Sequence, residues 1–160
     1  MTRGRAIAYD GRVQPETELI SRDPETTLAV GRRIGERLRA GDVLCLEGVL
    51  GSGKTTLVKG IAASLGVQEP VTSPTFTLVS RYRGQRGDAE VELVHIDLYR
   101  IRDERELEDL GLEETMAGGA VSVIEWGEKA RALLPPQTLR VRLELLAGGD
   151  RRLVIEGLDL

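Results

Sequence analysis

The sequence predicts an α/β fold with a mostly parallel central sheet, flanking helices and a C-terminal antiparallel hairpin. Two observations carry this prediction. Short apolar runs of strand length, at 43–46 and 120–124, alternate with segments of helical period, as in layered α/β domains. Beyond Pro135-Pro136 the apolar residues alternate instead through Leu139, Val141, Leu143 and Leu145, turn at Gly148-Gly149-Asp150, and resume at Leu153 and Ile155. Period two on both sides of a glycine turn is the mark of a hairpin.

Taken in order, the elements follow from local chemistry. Residues 1–16 mix Gly, Arg and acids without periodicity and read as a flexible N-terminal extension, leaving 17–160 as one domain, the number that 160 residues suit. Asp23 can cap a helix whose first turn accepts Pro24; Leu28, Ile34 and Leu38 share one face, and Gly41 ends it. Val43-Leu44-Cys45-Leu46 is too short for a helix and apolar enough for a buried strand. A glycine-bearing loop leads into a second helical period at 54–65, closed by Gly66. Residues 75–82 and 91–96 read as extended, joined by a turn at 84–88. A short charged helix at 102–110, the strand at 120–124 and a helical turn or two at 128–134, stopped by the two prolines, complete the set before the terminal hairpin.

Composition sets limits on function. A net charge of −4 provides no broad cationic field of the kind that grips nucleic acid, so no DNA binding is expected and any RNA contact is indirect or local. A single cysteine, Cys45, permits neither an internal disulfide nor a cysteine metal cluster and reads as a buried strand thiol. No apolar run approaches the roughly 20 residues of a membrane span, and the polar N-terminus lacks a signal core. A cytoplasmic protein with no membrane contact is the expectation.

The chemistry concentrates in one loop. Gly48-Val49-Leu50-Gly51-Ser52-Gly53-Lys54-Thr55 fits the phosphate-loop pattern G-x-x-x-x-G-K-[ST]. Glycines let backbone N–H groups turn toward phosphate oxygens, and the following helix adds the positive end of its dipole. Lys54 places a cation by the β- and γ-phosphates, and Thr55 offers a hydroxyl to Mg²⁺. The chain has three lysines against nineteen arginines, so a lysine here runs against its own usage. A compact ammonium fits a phosphate nest where a planar guanidinium does not. ATP or ADP with Mg²⁺ is the ligand this loop predicts.

Such a site needs a carboxylate near the metal. Asp97 ends the run Val94-His95-Ile96, and Glu125 ends Val121-Ser122-Val123-Ile124. Taken singly, each also suits a helix cap; two at strand ends in one domain fit a metal better, because strand C-termini converge where open α/β sheets bind ligands. Thr72-Ser73-Pro74-Thr75-Phe76 reads equally as a loop sensing the γ-phosphate and as a turn set by Pro74. His95 reads as a hydrogen-bonded structural residue or as a neighbour of the metal, and Trp126 as a nucleotide contact or as core.

Gly51-Ser52-Gly53-Lys54-Thr55-Thr56, Ser73-Pro74-Thr75-Phe76, His95-Ile96-Asp97-Leu98-Tyr99-Arg100 and Ile124-Glu125-Trp126, in that order, resemble the TsaE family, the small ATPases of bacterial tRNA threonylcarbamoyladenosine synthesis. The resemblance runs from about Asp23 to the C-terminus. It implies a P-loop NTPase fold and ATP hydrolysis that is weak in isolation. It also implies work alongside TsaB and TsaD on adenosine 37 of tRNAs, with TsaD holding the transferase chemistry and hydrolysis resetting the complex. By resemblance, Lys54 binds phosphates, Thr55 and Glu125 hold Mg²⁺, and Asp97 supports the metal or activates water. Thr56 contacts the α-phosphate, Ser73, Pro74, Thr75 and Phe76 form a switch-like loop, and Thr27 and Glu128 lie on the adenine side. One departure is Val49, which stands where the family usually has an acid. The rival classes are a small-molecule kinase, for which the arginines of 81–86 imitate a lid, and a nucleotide-gated binding module. A GTPase fits less well, since no Asn/Thr-Lys-x-Asp motif occurs.

Overall fold

The computed structural model describes residues 3–9 and 12–160. Strands β1 (Arg3–Tyr9), β2 (Arg12–Ser21), β3 (Val43–Glu47), β4 (Val79–Arg86), β5 (Ala89–Asp97), β6 (Val121–Glu125), β7 (Leu139–Leu145) and β8 (Arg151–Glu156) form one sheet in the order β1-β2-β8-β7-β3-β6-β5-β4. The central β7, β3, β6 and β5 run parallel, and the pairs on either side of them are antiparallel. Helices are α1 (Pro24–Arg37), α2 (Lys54–Ser64), α3 (Glu104–Asp109) and α4 (Leu112–Ala117), with a 3-10 turn at Gly127–Ala130.

The apolar runs of β3, β5 and β6 are continuous because both faces of the sheet are covered. On one face Leu44, Leu46, Leu93, Val121 and Val123 pack with Ile34 of α1 and Leu57 and Ile61 of α2. On the other, Val43, Val94, Ile96 and Ile124 pack with Leu107 of α3 and Leu112 and Met116 of α4. Asp23 caps α1 as expected, its carboxylate accepting the Thr26 N–H at 2.6 Å. That bond holds the Asp23 carboxyl below the usual aspartate value. No helix among the described residues is long and apolar enough to cross a membrane.

Two expectations are corrected and one helix is added. Of residues 1–16, read as a flexible extension, 3–9 form β1 and 12–16 the first half of β2, which pairs with β8 from Glu16↔Glu156 to Ser21↔Arg151, while 1, 2, 10 and 11 lie outside the described residues. The inward row of that strand, Thr17, Leu19 and Ser21, holds one apolar residue, so it left no hydrophobic period to read. The predicted hairpin exists with shifted register: residues 75–77 form a turn, β4 starts at Val79, and Gly87-Asp88 make the reversal. Gly84 is therefore a strand residue. A Cβ there would stand 2.2 Å from the Leu65 carbonyl, so glycine is present to let β4 pass the end of α2. Finally, α4 is an additional helix that begins after Gly111.

Candidate nucleotide site

The C-terminal ends of β3, β5 and β6 lie side by side, with Leu46 and Asp97 both in register with Glu125. From the end of β3 the chain enters the glycine loop and then α2. Gly53 precedes the helix at φ 104°, a left-handed conformation open to glycine, and no side chain caps α2. The first helical bond is from Leu57 N–H to the Gly53 carbonyl, 2.9 Å, so the amides of Lys54, Thr55 and Thr56 precede the helical ladder. Those donors and the helix dipole face a cavity of about 410 Å³, lined by the loop and by Ser73, Thr75, Asp97, Tyr99, Glu125, Trp126 and Arg151.

Lys54 folds back over its own loop, donating to the Gly48 carbonyl at 2.6 Å and the Val49 carbonyl at 3.0 Å, with Nζ 4.2 Å from the centre of the Trp126 ring. Burial lowers its pKa, while Glu125, Glu128 and Asp97 pull the other way. Val49 takes part through its carbonyl and leaves its side chain exposed.

Thr55 Oγ1 donates to Glu125 Oε1 at 3.0 Å, and His95, with the proton on Nε2, donates to the same oxygen at 2.8 Å. Glu125 Oε2 receives no hydrogen bond from the described residues. Asp97 is the reverse case. Its Oδ2 accepts the Ser73 hydroxyl at 2.7 Å and its Oδ1 the Tyr99 N–H at 2.9 Å, so both oxygens are engaged. His95 is fully buried, with Nδ1 lacking a partner among the described residues. Its one side-chain hydrogen bond among the described residues is thus the bond to Glu125.

The loop 73–76 meets the site through Ser73 and Thr75, whose hydroxyls lie 3.2 Å apart. The Pro74 carbonyl accepts Leu78 N–H at 2.8 Å and closes the turn, while Phe76 is 84% exposed beneath the Arg100 guanidinium. Trp126 takes a left-handed conformation, φ 58°, which is costly for a bulky residue. It sets the indole between Lys54 and Tyr99, whose ring centroid is 5.1 Å away.

Gly51, Gly53, Lys54, Thr55, Thr56, Ser73, Thr75, Asp97, Glu125 and Trp126, all named from sequence, line one cavity. Ser52 does not; its side chain is buried, and its Oγ has no partner among the described residues. Thr27 is buried and hydrogen-bonded to Ser21 at 2.7 Å, outside the lining. Glu128 is also outside it, with Oε2 buried and unpartnered among the described residues, and burial pushes its pKa up. Cys45 is an inert core thiol, pushed up to about 12 by burial and then by the Glu47 carboxylate. Arg151 lines the cavity without any sequence signal, because it starts a strand almost a hundred residues after the loop.

Comparison with known proteins places this geometry in context. A family model described as "Threonylcarbamoyl adenosine biosynthesis protein TsaE" matches residues 21–153. A Treponema pallidum protein named tRNA threonylcarbamoyladenosine biosynthesis protein TsaE is 40% identical over 136 residues, covering 85% of this chain and 97% of the relative. Proteins of the same name from Mycobacterium tuberculosis and Bacillus subtilis are 44% and 42% identical, covering 81% of this chain and 79% and 78% of their own. The crystal structure of Bacillus subtilis YdiB superposes with a TM-score of 0.75 at 28% identity, over 92% of this chain and 89% of that one. With a family match across most of its length and relatives above 40% identity, the chain belongs to the TsaE family.

Proposed function

We propose that this protein is the ATP-binding and ATP-hydrolysing component of bacterial tRNA threonylcarbamoyladenosine synthesis, a P-loop ATPase acting with TsaB and TsaD to reset their complex between turnovers. The pathway is supported by the names its relatives carry. The observation that carries the activity is the grouping of Lys54, Thr55 and Glu125 at the mouth of an uncapped helix, with Thr55 and Glu125 3.0 Å apart.

Mg²⁺ fits these residues. It prefers hard oxygen ligands, keeps several waters, and is commonly held by one or two carboxylates together with substrate phosphates. Thr55 Oγ1 and the unbonded Oε2 of Glu125 would hold the ion, whose charge draws electron density from phosphate oxygens. Lys54 exchanges its two loop carbonyls for phosphate oxygens. Thr56 sits at the helix head where the α-phosphate comes within reach. Ser73, hydrogen-bonded to Asp97 and to Thr75, couples the loop to the carboxylate that orients water.

The kinase alternative has no comparable support. Its lid-like arginines lie in β4, with Arg81 paired to Glu92 and Arg86 bonded to the Gly35 and Leu38 carbonyls. The decisive test is to add the purified protein to TsaB and TsaD, with and without ATP. Complex formation and multiple-turnover tRNA modification should both respond to it, and no change in either refutes the assignment.

A further inference from the structure

We propose that His95 is a positioning residue for the metal site: by holding one oxygen of Glu125 it makes that carboxylate a one-oxygen ligand, and so favours Mg²⁺ over Ca²⁺. This rests on the proposed binding of a nucleotide with Mg²⁺ at 48–55 and adds what selects the metal.

Strand register places the groups. β5 and β6 pair His95 with Val123 and Asp97 with Glu125, and alternation along each strand puts all four side chains on one face of the sheet. Glu125 is therefore the diagonal neighbour of His95 on that face, within reach of a long side chain. The bond from His95 Nε2–H to Glu125 Oε1, 2.8 Å, joins two buried side chains. Nδ1 is buried with no partner among the described residues, and a buried polar atom left unpaired costs stability. What a histidine supplies here, against an apolar side chain of similar size, is thus the bond to Glu125.

The consequence falls on the other oxygen. Thr55 Oγ1 also donates to Oε1, at 3.0 Å, so two donors hold that atom and Oε2 is what Glu125 offers to the cavity it lines. With its proton committed to Glu125, the Thr55 hydroxyl keeps its lone pairs for a cation. Mg²⁺ demands near-ideal octahedral geometry, which a single carboxylate oxygen suits, whereas the larger Ca²⁺ accepts more oxygens and often both from one carboxylate. For Glu125 to chelate with both, Oε1 would have to give up its donors and leave both ring nitrogens of a fully buried histidine unpaired. Partners behind a metal ligand set its orientation in this way.

Calorimetric titration of a non-hydrolysable ATP analogue, with magnesium, with calcium and with EDTA alone, tests this on the full chain as wild type, His95→Asn and His95→Gln. The wild type should bind more tightly with magnesium than with calcium. An asparagine amide lies near the place of Nδ1 and falls short of Oε1, so His95→Asn should narrow that preference about tenfold, the scale of losing a partner behind a metal ligand, with metal-free affinity unchanged. A glutamine amide extends to the place of Nε2, so His95→Gln should retain the preference. Unchanged metal-free binding also reports that each variant is folded. Equal losses in all three conditions would make His95 a packing residue and overturn the proposal. So would an undiminished preference in His95→Asn, a loss in His95→Gln as large as in His95→Asn, or a wild type indifferent to the two metals. If the wild type binds the analogue in none of the conditions, the phosphate-loop reading itself fails and takes this one with it.

Discussion

Lys54 is almost fully buried beneath Trp126, and burial pushes its ammonium below the ordinary lysine value while Glu125, Glu128 and Asp97 counteract. Because the folded value is the lower one, the unfolded chain binds more protons in the window between the two, and stability rises with pH there. Ligand binding has the opposite sign. Phosphate favours the charged amine, so nucleotide affinity should be full below the folded value and fall as pH rises through it. ADP titrations from neutral to strongly alkaline pH should show that decline in the wild type and a flat, weaker profile in Lys54→Met. Substitution of Glu125 by Ala should cut ATP hydrolysis on the order of 10²- to 10³-fold, as does loss of a preorganised electrostatic group, with the melting curve retained. Full activity in Glu125→Ala would move the metal role to Asp97. These residues were legible in the sequence because each sits at a punctuation point, a glycine loop or the end of a buried strand. Arg151 was not, since nothing local distinguishes it from eighteen other arginines; its place in the cavity wall comes from the hairpin that returns β8 to the loop.

Helices α1 and α2 meet backbone to backbone. A Cβ on Gly60 would stand 2.2 Å from the Leu28 carbonyl, and one on Gly31 would stand 2.3 Å from the Leu57 carbonyl. Since α2 presents Lys54, Thr55 and Thr56 at its head, this seam sets where the amides proposed to bind phosphate point. Ala at position 60 gains helix propensity of about 1 kcal/mol but must push the helices apart. Overpacking on that scale costs about 3 kcal/mol, leaving a net loss of about 2 kcal/mol. The melting temperature of Gly60→Ala should fall by about 4–8 °C, with weaker ADP binding measured well below the transition. An unchanged melting curve would show that the seam has slack. The sequence pattern placed α2, β3 and β6 and the start of α1 within a residue or two, because caps, glycine stops and apolar runs are local signals, but it ran α1 on to Gly41 and left α4 unread. It failed at β2 and at the β4–β5 reversal for a physical reason. The partner strand, not the hydrophobic pattern, fixes β2, and Gly84 answers to a helix end nineteen residues earlier in the chain.

For the whole molecule, the charge arrangement bears on how tRNA is handled. Acidic residues outnumber basic ones, 26 to 22, and many arginines are neutralised in place: Arg81 by Glu92, Arg131 and Arg140 by Glu47, Arg142 and Arg152 by Glu144. Locally paired cations have few free charges to exchange for the counterions of a phosphate backbone, and that exchange is what makes nucleic-acid binding steeply salt-dependent. Under the proposed function the protein therefore acts on the TsaB and TsaD assembly, with tRNA contact indirect. Its addition should raise the number of modification cycles each complex completes without altering how tRNA capture responds to ionic strength. Multiple-turnover modification and tRNA binding, each followed across a salt series with and without the protein, separate the two effects. The slope of log affinity against log salt should be the same in both arms. A slope steeper by one or more units on adding the protein would mean that its own side chains neutralise tRNA phosphates, and the indirect role would have to be abandoned.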